Sequence, residues 1–170
     1  MTQDQFWSLI ASSKAASRGS FERQAKALGQ ELSKLSPEEI VEFQRIFDEY
    51  TDRAYTWDLW GAAYILGGGC SDDAFIDFRS WLISMGREIY ERALKDPESL
   101  ADVPLGPEGG EDAFFEEFAY VAPRVYEKKT GKEEMPDYGR LATDEPAGEA
   151  WDEDGDDLER RFPRLSAKYG

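Results

Sequence analysis

The feature that most constrains this chain is a succession of helix-start signals, each followed by apolar residues at three- and four-residue steps. Thr2-Gln3-Asp4-Gln5 fits a capping box, with Thr2 as N-cap and the Gln5 side chain returning to it. Phe6, Trp7 and Ile10 then give a first helix its apolar side, to about residue 16. Gly19-Ser20 breaks and restarts the chain, and Phe21, Ala25, Leu28, Leu32 and Leu35 form one stripe. Ser36-Pro37-Glu38-Glu39 is the clearest start of all: a cap, a proline suited to the first helical position, and two carboxylates facing the positive end of the dipole. Ile40, Phe43, Phe47 and Tyr50 follow as the buried stripe of a third helix. Sustained period-two alternation bounded by turns is absent from the sequence. The expected fold class is all-α. A single compact domain of about five to seven helices is predicted over residues 1–129, with an irregular acidic C-terminal arm over 130–170 packed on it.

A fourth helix is predicted from about Arg53 to Leu66. It is apolar around most of its circumference, which predicts a central position. Gly61 is expected to let another backbone come close. Gly67-Gly68-Gly69 stops this helix, and Ser71 caps the next, with Asp72 and Asp73 in its first turn. Phe75, Phe78, Leu82, Met85 and Ile89 predict one long helix to about Lys95, bent at Gly86. Asp96-Pro97-Glu98 opens a short turn, and residues 112–129 return to helix with a break at Pro123. Beyond Thr130 the periodicity fades. Met135, Tyr138, Leu141 and Trp151 are the expected apolar anchors of the arm, before a short segment holding Leu158, Phe162 and Leu165.

Composition excludes several chemistries. There is no histidine and one cysteine, Cys70, so Ser-His-Asp and Cys-His catalysis, His-ligated metals, internal disulfides and zinc fingers are all ruled out. No apolar run reaches the ~20 residues of a membrane span, and the opening Met1-Thr2-Gln3-Asp4 is not expected to be a signal peptide. A cytoplasmic protein is expected. Acids outnumber bases 36 to 20, for a net charge of −16. Such a surface repels phosphates and anionic headgroups, so no direct nucleic-acid or membrane partner is expected.

The glycine run feeding a helix start has the geometry of an anion cradle, but no Lys or Arg follows it, and Asp72 and Asp73 already occupy the positive dipole end. The functional reading is a polar pocket in which Asp72 and Asp73, with Arg79 and Trp60 or Tyr64, hold a cationic group such as a partner's Lys or Arg. The structural reading is a tight turn and a cap. Cys70 is expected to be a small buried hydrophobe. Arg79, between Phe78 and Trp81, suggests a buried ion pair with a carboxylate such as Asp58. Asp152, Asp154 and Asp156 start like a calcium loop, but Asp157 stands where glycine belongs and Pro163 where the bidentate glutamate belongs. Residues 144–157 are therefore expected to be solvated acid, pinned at Trp151. No metal site and no cofactor is expected.

The run from Trp57-Asp58-Leu59-Trp60-Gly61-Ala62-Ala63-Tyr64 through Gly67-Gly68-Gly69-Cys70-Ser71-Asp72-Asp73, continuing to Gly86, resembles a family of small bacterial proteins, frequent in actinomycetes, catalogued as a domain of unknown function. Asp4-Gln5-Phe6-Trp7-Ser8-Leu9-Ile10 and Leu94-Lys95-Asp96-Pro97-Glu98-Ser99-Leu100 fit it as well, so the resemblance covers roughly residues 4–130. It implies no catalytic residue or cofactor. The leading functional expectation is a non-catalytic, acidic protein-binding protein, inhibitor- or immunity-like or regulatory, engaging a basic protein or peptide as a monomer. The alternatives are an enzyme working through Asp and Glu carboxylates, and a scaffold element of a biosynthetic or regulatory operon.

Overall fold

The computed structural model describes residues 1–106, 109–141, 143–153 and 156–170. Among them no strand forms, and every named element is helical. The chain is all-α. No helix among the described residues is long and apolar enough to cross a membrane.

Helices α1 (Gln3–Ser17) and α3 (Pro37–Arg53) open on the two capping boxes that the sequence announces, Thr2 with Gln5 and Ser36 with Glu39. Between them, α2 (Phe21–Leu32) is capped by Ser20 and packs on α1 across a link of three residues. Helix α4 (Trp57–Gly67) is capped by Thr56. It starts later than the sequence suggests because α3 runs on to Arg53 and residues 54–56 form the turn. Leu59, Ala62, Ala63, Ile65 and Leu66 of α4 are buried, and the central position expected for this helix is observed.

The single helix expected from Ser71 to Lys95 is two: α5 (Asp72–Ser84) and α6 (Arg87–Lys95). Gly86, at φ 97°, takes a conformation open to glycine and costly to other residues, and the chain turns there rather than bending. A 3-10 turn at Pro97–Asp102, another at Gly109–Ala113, α7 (Glu116–Ala119) and α8 (Val121–Thr130) follow. Pro123 falls in the first turn of α8, where its missing N–H breaks no helical bond, so the break comes earlier, at Tyr120.

The core is strongly aromatic. Phe6 lies 4.8 Å from Phe43 and Trp7 lies 4.7 Å from Tyr50, ring centre to ring centre. The buried Tyr90 hydroxyl donates to the Tyr50 carbonyl at 2.7 Å. The close backbone approach expected at Gly61 occurs instead at Gly110, where an added Cβ would lie 1.8 Å from the Leu66 carbonyl oxygen. Gly61 makes room for side chains of the arm: its Cβ would meet Leu158 at 2.8 Å and Phe162 at 2.9 Å.

The arm is partly helical, with α9 (Asp157–Arg161) and α10 (Pro163–Tyr169). Its anchors are Leu158, Phe162 and Leu165, all buried, together with the half-buried Met135 and Trp151. Leu141 is 90% exposed and anchors nothing. Upstream, Tyr138 donates to Asp48, and Arg140 pairs with Asp52 at 2.6 Å. Ala147 then exchanges backbone bonds of 2.9 Å with Tyr55 and Trp57, and Trp151 Nε1 donates to the Trp57 carbonyl at 2.9 Å. The described acids from 144 to 153 are exposed, as composition suggests, whereas Asp157 is half-buried and paired with Arg161 at 3.2 Å. Asp154 and Gly155 of the rejected calcium loop lie outside the described residues.

Candidate functional site

The α4–α5 junction is built by its glycines and caps. Gly68, in the left-handed region at φ 63°, ends α4, and the Gly69 N–H donates to the Tyr64 carbonyl at 2.8 Å. The chain then runs through Cys70 to Ser71, whose hydroxyl accepts from the Ala74 N–H at 3.2 Å, opening α5. Trp60 Nε1 donates to the Cys70 carbonyl at 3.0 Å and fixes the loop to α4. Cys70 is half-buried. Its thiol is pushed up to about 12, first by burial and then by the Asp77 charge, which makes it a poor nucleophile.

An aromatic ladder runs through the junction. Trp57 stacks on Trp60 with centroids 5.3 Å apart, and Trp60 stacks on Phe75 at 5.2 Å. Beyond Phe75 lies the Arg79 guanidinium, 4.9 Å from that ring and 4.6 Å from Tyr55. Arg79 is 6% exposed. Its Nη1 donates to the Thr51 carbonyl at 3.1 Å and its Nε to the Phe75 carbonyl at 3.3 Å. Thr51 lies in the last turn of α3, where carbonyls lack helical partners and the dipole end is negative, so the guanidinium serves as a tertiary cap. The ion pair with Asp58 expected from the sequence is not formed; Asp58 pairs with Arg161 of the arm at 3.6 Å. Burial lowers the Arg79 pKa, while Tyr55 and Asp52 act in the opposite direction.

The five residues singled out by sequence thus divide. Trp60 and Arg79 meet on Phe75. The Asp72 charge acts on both Arg79 and Tyr55. Asp73 belongs to another group. It raises the pKa of Asp77, whose carboxyl is held above its ordinary value first by burial, then by Glu116 of α7, then by Asp73. Tyr64 lies under the arm, donating to Glu153 at 2.6 Å with its ring 5.1 Å from Trp151.

Sequence reasoning missed Asp77, Glu116 and Ile76. Asp73 and Asp77 stand four apart on one helix face, a spacing legible in the sequence. Glu116 arrives only because α7 packs on α5, with the Phe115 N–H donating to the Asp77 carbonyl at 3.1 Å. Asp72, Asp73, Asp77 and Glu116 form no ion pair with any described base, and Ile76 among them is 43% exposed. Asp73, Asp77 and Glu116 thus form a negatively charged surface, with the exposed Ile76 next to Asp77 in the chain.

No curated protein and no solved structure matches the chain. A family model described as "Protein of unknown function (DUF4240)" matches residues 1–128, which takes in α1 to α7, most of α8 and the whole of the acidic face. By that match, the chain belongs to the DUF4240 family.

Proposed function

We propose that this protein is a non-catalytic binding protein whose α5–α7 face engages a basic protein or peptide. The observation that carries the reading is the crowding of Asp73, Asp77 and Glu116 around exposed Ile76 without a described cation to offset them. The Asp77 carboxyl is held above its ordinary value first by burial and then by the charges of Glu116 and Asp73, so part of the cost of its charge is repulsion from its neighbours. A Lys or Arg side chain from a partner relieves that repulsion. Ile76 supplies the apolar contact that charged rims by themselves lack. Asp72, Trp60, Tyr64 and Arg79, the other residues singled out by sequence, lie at the α4–α5 junction and under the arm rather than in this cluster. There Trp60 and Arg79 hold the α4–α5 junction in shape, and Asp72 extends the negative field.

The test is comparative capture from native lysate, with the wild-type chain and an Asp73→Lys, Asp77→Lys variant as baits. The expected result is a basic protein held by the wild type at low salt, released as the Debye length shrinks below about 8 Å, and absent from the variant. Identical catches from the two baits would overturn the reading.

A further inference from the structure

On a different part of the molecule from the acidic face, α1, α2, α5, α6 and residues 104–106 line an open cavity of about 560 Å³, a volume in the range of small-molecule sites. Phe21, Trp81, Met85, Ile89 and Leu105 make its lining largely apolar. Two of its polar side chains, from α1 and α2, grip consecutive carbonyls at the end of α5. Lys14 Nζ donates to the Met85 carbonyl at 2.6 Å, and Gln24 Nε2 donates to the Ser84 carbonyl at 2.8 Å. The two side-chain ends are therefore neighbours.

We infer that this cavity binds a small monocarboxylate carrying an apolar ring and one hydrogen-bond donor. Gln24 is 4% exposed, and only its NH2 end can bond a carbonyl, so its amide oxygen is the end left without a described partner. An acceptor in that position can take a hydrogen bond from a donor on the ligand. Lys14 has no described carboxylate partner and keeps N–H groups beyond the one given to Met85. Its full positive charge exceeds the fractional negative charge at the α5 C-terminus, so the balance there favours an anion. Burial lowers the Lys14 pKa, the expected sign for an ammonium short of countercharge.

Arg18 stands on the cavity lining, exposed, without a described ion pair, and in the left-handed region at φ 49°. Glycine adopts that conformation freely and arginine does not, so a side chain is kept there at some strain. Asp112, also on the lining, holds its carboxylate beside Gly106, so two cations, Lys14 and Arg18, stand against one acid and the balance fits a single negative charge on the ligand. The ring occupies the space beside Phe21 and Met85.

The probes are mandelate and indole-3-lactate, compared with the neutral mandelamide and with phenylacetate, which lacks the hydroxyl donor, all by titration calorimetry on the full chain. Saturable binding of at least one hydroxy acid is expected, with a dissociation constant of about 1 mM or tighter. Mandelamide should bind about tenfold more weakly than mandelate, and Lys14→Met should weaken the acids by about the same factor. Because Lys14 also caps α5, Arg18→Gly serves as the second variant: it relieves backbone strain, leaves the fold intact and should still weaken the acids severalfold. Ala15→Trp, at an exposed position on the lining, should block binding. Absence of saturable binding by both hydroxy acids overturns the inference, and so does equal binding of acid and amide or indifference to both Lys14→Met and Arg18→Gly.

Discussion

The Tyr64 hydroxyl donates to the Glu153 carboxylate at 2.6 Å, so a residue of α4 is tied to one 89 positions further along the chain. Beside that bond, Trp151 packs edge-on to Trp57 and Trp60 and donates its indole N–H to the Trp57 carbonyl. The family match ends at residue 128, and these contacts come from beyond it. The arm forms an integral wall of α4.

Trp151→Ala should therefore destabilise the fold by about 2 kcal/mol, less than for a fully buried tryptophan because the indole is half-exposed. Urea denaturation measures the shift. Limited proteolysis should show faster cleavage beyond residue 130, with the rest of the chain still resistant. Unchanged cleavage would mean that Leu158, Phe162 and Leu165 hold the arm without Trp151.

Two glycines should respond differently to alanine. At Gly110 the new methyl meets the Leu66 carbonyl, backbone against backbone, and relief requires moving the 3-10 turn off α4. A loss of about 3 kcal/mol is expected. At Gly61 the methyl meets the ends of the Leu158 and Phe162 side chains, which can rotate, and alanine gains about 1 kcal/mol of helix propensity. The net change in melting temperature there should be small, with the disturbance confined to α9 and α10.

Ser71→Ala removes the cap of α5 and should cost about 1 kcal/mol. Trp60→Ala removes two stacked ring contacts and the bond to the Cys70 carbonyl, for a cost of about 3 kcal/mol. Both are read from chemical denaturation midpoints. If Trp60→Ala costs less than Ser71→Ala, the aromatic ladder does not hold the junction.

Asp77→Asn should raise stability at neutral pH. The folded carboxyl has a raised pKa, so the native state binds its proton more tightly than the unfolded chain does. Its stabilising contribution is complete below the ordinary carboxylate range and is lost as pH rises through the raised folded value. The gain from asparagine should thus appear at pH 7 and vanish near pH 3. A gain of equal size at both values would point to packing rather than charge.

Cys70 should resist alkylation. With the thiol pushed up to about 12, the thiolate fraction at pH 8 is near one in ten thousand, against roughly a quarter for a free thiol of pKa ~8.5. Iodoacetamide at pH 8 should modify the folded protein at least about a hundredfold more slowly than the urea-unfolded chain. Equal rates would show that the loop opens freely.

The helix starts were legible in sequence because they are local events. Thr2, Ser36 and Ser71 each bond backbone atoms three residues away, and no distant part of the chain is needed to predict them. The apolar stripes identified the buried faces for the same reason. Gly86 marked a break in the long apolar stripe, but only the folded chain shows that the break parts two helices, α5 and α6. What spacing left open were the long-range partners. Arg79 looked toward a carboxylate, yet the folded chain offers it the carbonyl of Thr51 at the negative end of α3 and the rings of Tyr55 and Phe75, brought there by helix packing. Asp73 announced Asp77 through helical periodicity, while Glu116 joined them only through the docking of α7. Leu141 and Leu158 are both leucines in an acidic stretch, and only the packing of α9 on Gly61 decided that one is exposed and the other buried. Local hydrogen bonding and periodicity belong to the sequence; pairings across distant segments follow from the one arrangement that buries all the stripes together.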